Sequence, residues 1–147
     1  MQERFETFTV LINRISRDIR KIKNQEMAAY HLRSIHASCL YYIYSLGSVT
    51  SAELCEHCEE DKATISRAVD YLETNGFLLR DAGAKRYKNP LLLTEKGRDT
   101  GKRIAEKIDG VLETISHALT EEERIEFYRS LSTISRSLEA IVQNSEE

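Results

Sequence analysis

At 147 residues, with 41% hydrophobic and 31% charged side chains, the chain is long enough for one domain with a real apolar core. It holds no apolar run near the roughly 20 residues a membrane helix needs, and no charged-then-apolar leader, so a cytoplasmic protein with no membrane partner is expected. The net charge of −3 excludes a uniformly basic surface, but the charge is uneven: +3 over residues 1–33, −4 over 34–60, +4 over 61–103 and −6 over 104–147. Local charge, not the total, governs an encounter with a polyanion. Ordinary solvated helix faces produce similar blocks, so the pattern needs support from motifs.

From the N-terminus, Phe5, Phe8, Ile12, Ile15, Ile19 and Ile22 are spaced 3, 4, 3, 4 and 3. This heptad-like seam predicts a helix within 1–30 that packs on its own domain or on a partner. The helix expected before the turn signal Gly47-Ser48 carries His36, Cys39, Tyr41, Tyr42 and Tyr44. Thr50 and Glu53 then form a T-x-x-E capping box, which starts a short helix. Asp61 is the N-cap of the next, predicted over 61–75, because its carboxylate accepts orphan amide hydrogens and suits the positive helix end. Within it Ile65, Ala68, Val69 and Leu72 recur at helical spacing and define the buried stripe. At about 100° per residue the opposite face carries Ala63, Ser66, Arg67, Asp70 and Thr74. Asn75-Gly76 is a stop that tolerates left-handed backbone.

Phe77, Leu78 and Leu79 read as a strand, residues 81–89 as a hairpin around Gly83, and Leu91, Leu92 and Leu93 as the returning strand. Pro90, the single proline, is tolerable at a sheet edge. A long helix from about 95 to 118 bears Ile104, Ile108, Val111, Leu112 and Ile115. A last helix opens with its own capping box, Thr120 to Glu123, and carries Phe127, Leu131, Ile134, Leu138 and Ile141 at spacings of 4, 3, 4 and 3.

Two short helices a tight turn apart, followed by a basic hairpin, are the layout of a winged helix-turn-helix reader of double-stranded DNA. The candidate contacts are Ser51, Lys62, Ala63, Thr64, Ser66 and Arg67 from the helix pair, and Lys85, Arg86 and Lys88 from the wing over 80–90. Short polar and long basic side chains at the start of the second helix suit base edges and phosphates. The same layout also serves modules that hold other proteins without touching DNA. Glycine-rich phosphate loops, the G-x-S-x-G elbow and H-E-x-x-H are missing, so no enzyme is expected. Cys55-Glu56-His57-Cys58 looks like a metal knuckle but lacks a second ligand pair, so no metal site is assigned. Cysteine packs well as a small hydrophobe, which is the reading for Cys55 and Cys58 on the apolar side of their helix.

Four pieces carry a resemblance: residues 47–54 (GSVTSAEL), 61–67 (DKATISR), 72–77 (LETNGF) and 93–97 (LTEKG). In this order and separation the chain resembles the winged-helix regulators of the multiple antibiotic resistance regulator (MarR) family, over nearly its whole length. The resemblance implies a mainly α fold with a small β-hairpin wing and with N- and C-terminal dimerisation helices. Residues 1–147 would form one domain: dimerisation helices at 1–30 and 119–143, the winged helix-turn-helix at 32–93, and a connecting helix at 94–118. It implies a homodimer without cofactor, acting as a ligand-responsive repressor on a near-palindromic operator. A small, often aromatic effector would bind near the join of the dimer helices and the winged part, edged by Tyr30, His31, Arg33, His36 and Tyr44. Relatives that sense oxidants or metals keep open a thiol- or metal-sensing role for Cys39, Cys55 and Cys58. Two departures stand out: Glu59 occupies the expected glycine of the inter-helix turn, and Lys85-Arg86-Tyr87 replaces the wing's Asp-x-Arg motif.

Overall fold

The structure is a computed structural model and describes residues 2–80 and 86–145. It divides into two compact units, 1–106 and 107–147. The first holds α1 (Gln2–Met27), a 3-10 turn (Ala28–Tyr30), α2 (Ser34–Leu46), α3 (Ser51–Cys58), α4 (Lys62–Thr74), a second 3-10 turn (Arg86–Lys88) and the start of α5 (Glu95–Ser116). The second holds the rest of α5 and α6 (Glu121–Asn144). No helix among the described residues is long and apolar enough to cross a membrane.

In the first unit α2 is the central element, packed against α1, α3 and α4. It buries His36, Ala37, Cys39, Leu40 and Ile43, a stripe at helical spacing wide enough for several neighbours. Leu54 of α3 and Ile65, Val69 and Leu72 of α4 meet it, with Phe77 and Leu78 closing the core below. Fully burying each such side chain contributes about 1.5–3 kcal/mol, so this small nucleus holds the helix pair in one orientation.

The predicted caps are present. Thr50 Oγ1 accepts from the Glu53 amide at 3.2 Å, and Glu53 Oε2 accepts from the Thr50 amide at 2.8 Å. Asp61 Oδ1 accepts from the Thr64 amide at 2.7 Å. Between α3 and α4, Glu59 takes φ 51°, the left-handed conformation for which glycine is preferred. With that bend the Glu60 amide reaches the Cys55 carbonyl at 3.0 Å and closes the end of α3. Gly76, at φ 78°, performs the same turn after α4.

The two predicted strands meet as isolated antiparallel bridges. Leu78 faces Leu93, the Leu79 amide donates to the Leu92 carbonyl at 2.9 Å, and the Thr94 amide donates to Phe77 at 3.1 Å. Pro90 bridges Thr50, and the Leu91 amide donates to Val49 at 2.8 Å, which fastens the returning chain to the entry of α3. The expected hairpin tip at 81–85 lies outside the described residues. The start of α5 is pressed against this region: a Cβ on Gly97 would stand 1.9 Å from the Phe77 carbonyl oxygen, and one on Gly101 2.8 Å from Tyr44 Cβ. Only glycine permits both approaches.

On α1, Val10, Leu11, Ile12, Ile15 and Ile19 are exposed, while Phe8 and Ile22 are half-buried. The side chain of Phe5 lies outside the described residues. In the second unit Thr120 and Glu123 form the expected capping box of α6. That helix buries none of its residues; Phe127, Ile134, Leu138 and Ile141 are exposed and Leu131 is half-buried.

Candidate nucleic-acid interface

The buried stripe of α4 leaves its other face to solvent. Lys62, Ala63, Ser66 and Arg67 are exposed there and Thr64 is half-buried, all within the first two turns after the Asp61 cap. The Thr64 amide holds the Asp61 carboxyl below the usual range, so the cap stays ionised at neutral pH and the helix start stays fixed. Arg67 Nη2 donates to Thr64 Oγ1 at 3.5 Å, a contact within one helical turn that leaves the guanidinium projecting outward. The first residues of a helix also present unpaired amides and a positive dipole end, which favours anions. Ser51 differs from the other candidates: it is buried, at 5% exposure, at the start of α3.

On the wing side Lys88 and Arg80 are exposed, Arg80 being a cation that sequence reasoning left out. Lys85 and the side chain of Arg86 lie outside the described residues. Tyr87 sits against both helices of the pair. Its hydroxyl lies 3.5 Å from Cys55 Sγ on α3, and its ring centroid lies 4.4 Å from Lys62 Nζ on α4. The Cys55 contact, with some burial, pushes the phenol above its ordinary pKa.

Of the five residues expected to edge an effector site, His31, Arg33 and His36 share contacts around Tyr71, while Tyr30 and Tyr44 lie against the start of α5. His36 is buried, stacks on Tyr71 of α4 with centroids 4.4 Å apart, and accepts from the Arg33 amide at Nδ1. Burial, reinforced by the Arg33 charge, lowers its pKa. Tyr44 packs beside Gly101. His31 is exposed and turns at φ 56°, and its carbonyl accepts from the Tyr71 hydroxyl at 2.6 Å. Arg33 is exposed. Tyr30 lines an open cavity of about 400 Å³ with Lys96, Asp99, Thr100 and Arg103, and Arg103 donates to its hydroxyl at 2.7 Å. Spacing along the chain gives no hint of Lys96 and Arg103 beside Tyr30, because the α5 start reaches it only through the fold.

Of the cysteines, Cys39 is fully buried, while Cys55 and Cys58 are half-buried rather than core. A thiol hydrogen bond with Cys58, together with burial, pushes Cys39 far above the usual range. The same bond, with help from Lys23, lowers Cys58. Among the described residues no group of three or more His, Cys, Asp or Glu is arranged to hold a metal.

Comparison with known proteins agrees with this geometry. The MarR family model matches residues 32–86. An uncharacterised HTH-type transcriptional regulator of Bacillus subtilis, YwoH, is 27% identical over 97 residues, which is 66% of this chain and 71% of the relative. The Neisseria meningitidis MarR family regulator NMB1585 superposes with a TM-score of 0.80 at 17% identity, covering 97% of this chain and 98% of its own. The S. aureus MepR–DNA complex gives 0.78 at 19% identity, over 89% of this chain and 97% of MepR. At such identities the superpositions speak for the fold. Residues 32–86 carry the likeness to the MarR family, and the fold is that of solved members of it.

Proposed function

We propose that the protein binds a near-palindromic operator as a homodimer and represses transcription until a small effector binds. The observation that carries this reading is the division of α4 into two faces. Ile65, Ala68, Val69 and Leu72 bury one side, while Lys62, Ala63, Ser66 and Arg67 line the other from a capped helix start. A helix held this way reads a major groove with its N-terminal residues while wing cations such as Lys88 meet the flanking backbone. That the similar MepR was solved with DNA supports the same use here. The exposed apolar rows of α1 and α6 support a two-fold partner, which would set two recognition helices on successive half-sites. The open cavity beside Tyr30, lined by Glu95, Lys96, Asp99, Thr100 and Arg103, is a candidate place for a small effector.

The test is fluorescence anisotropy with the DNA upstream of the gene, titrated at several salt concentrations. Binding should be specific over a scrambled duplex, and log affinity should fall linearly with log salt as phosphate contacts release counterions. No binding to that region at low salt would overturn the reading.

A further inference from the structure

We propose that Tyr87 is a positioning residue for DNA binding, a clamp that joins the wing to both helices of the pair and aims Lys62. The inference rests on the DNA-binding reading above. Lys62 is the first residue of α4, directly after the Asp61 cap, where the helix dipole is positive. A cation there is unfavourable for the helix by itself, and an exposed lysine carries large rotamer freedom. The Tyr87 ring, 4.4 Å from Nζ, offsets the first effect and reduces the second, because the negative face of the ring attracts the ammonium. An ammonium resting on a ring keeps its outward N–H donors, so it remains able to meet a phosphate at the helix start.

The second arm of the clamp is the hydroxyl, 3.5 Å from Cys55 Sγ. Together the two contacts tie the 3-10 turn Arg86–Lys88 to α3 and to α4, while the Leu91 amide and Pro90 tie the following residues to Val49 and Thr50. The chain that carries Lys88 is thus fixed to the same helix pair that carries the reading face.

The experiment compares Tyr87→Phe, Tyr87→Leu, Lys62→Ala and the double variant Tyr87→Leu/Lys62→Ala, with affinity for the upstream DNA measured across salt. Tyr87→Phe keeps the ring over Lys62 but loses the hydroxyl contact with Cys55, so it should bind more weakly than the parent and more tightly than Tyr87→Leu. Tyr87→Leu should weaken binding about two- to fivefold, the span expected of one exposed cation–π contact. Lys62→Ala should lower the salt slope by about one unit, as loss of one phosphate contact does. In the double variant the loss should be smaller than the sum of the two single losses, since the ring acts in part through that lysine. Thermal melting of each variant separates unfolding from altered binding. Additive losses in the double variant, or unchanged binding by Tyr87→Leu, would overturn the clamp and leave the DNA reading intact. Failure of the parent protein itself to bind would remove both.

Discussion

Arg67 is the side chain on which the reading of α4 leans most. It is exposed on the second turn of the helix, long enough to reach a guanine edge, and lightly held by Thr64 Oγ1 at 3.5 Å. Arg67→Ala should therefore lose about 1–3 kcal/mol of specific affinity if the guanidinium pairs with guanine. Melting should move little, because surface substitutions outside caps and cores stay within about 0.5 kcal/mol. An unaltered operator affinity would take Arg67 off the reading surface. Glu59 offers the opposite kind of residue, one whose conformation rather than whose chemistry matters. At φ 51° it holds a left-handed backbone that costs a non-glycine residue about 1 kcal/mol. Glu59→Gly should raise stability by up to that amount in urea unfolding, with DNA affinity changed only slightly. Lower stability would mean that the Glu59 side chain makes a contact worth more than the strain.

Among the elements, α2 is the one whose surroundings link the reading helix to the rest of the unit. His36 stacks on Tyr71 of α4, and Tyr71 donates to the His31 carbonyl at 2.6 Å, so α4 is fixed to the α1–α2 junction at two points. Because His36 Nδ1 accepts from the Arg33 amide, the neutral ring carries its proton on Nε2, and protonating Nδ1 would set two donors face to face. Its folded pKa is lowered, first by burial and then by Arg33, below the ordinary value near 6.5. The sign follows: this contribution is present in full above about pH 6.5 and is lost as pH falls from there to the lower folded value. Urea midpoints measured from pH 8 down to 5 should drop through that window, and the difference between parent and His36→Gln should shrink along with them. A constant difference would mean that His36 titrates as it does in the unfolded chain.

The same elements show which parts of the fold were legible beforehand. The helix starts at Thr50, Asp61 and Thr120 were readable because a cap is a contact over three residues, and the α4 stripe because a buried face repeats every turn. The antiparallel pairing of the residues around Leu78 and Leu93 was readable as two apolar runs about a turn. Tyr71 against His36 was not, since 35 positions separate them and neither carries a local signal. Gly97 and Gly101 look like helix breakers in α5 until the fold brings the Phe77 carbonyl and Tyr44 against them. Ser51, a candidate DNA contact by sequence, is buried at the entry of α3, where the chain returning through Pro90 and Leu91 packs.

At the scale of the whole molecule, the exposed apolar rows decide how many DNA half-sites one particle can meet. Ile15 on α1 is 51% exposed and Leu138 on α6 is 48% exposed in the single chain. If the chain acts alone, an aspartate at either position stays hydrated and costs little. If the rows are buried between two copies, each aspartate leaves an unpaired charge in an apolar interface, at a cost of several kcal/mol. The pair Ile15→Asp with Leu138→Asp therefore separates the two cases by sign. We expect light scattering to show a dimer for the parent and monomers or unfolded chains for the double variant, because interlocked dimers seldom keep a stable folded monomer. Operator affinity should fall far more than with Arg67→Ala, since a monomer meets one half-site and forgoes the gain from linking two. A variant that remains dimeric, or a parent that is monomeric at micromolar concentration, would remove the basis for a palindromic site and leave α4 reading a single half-site.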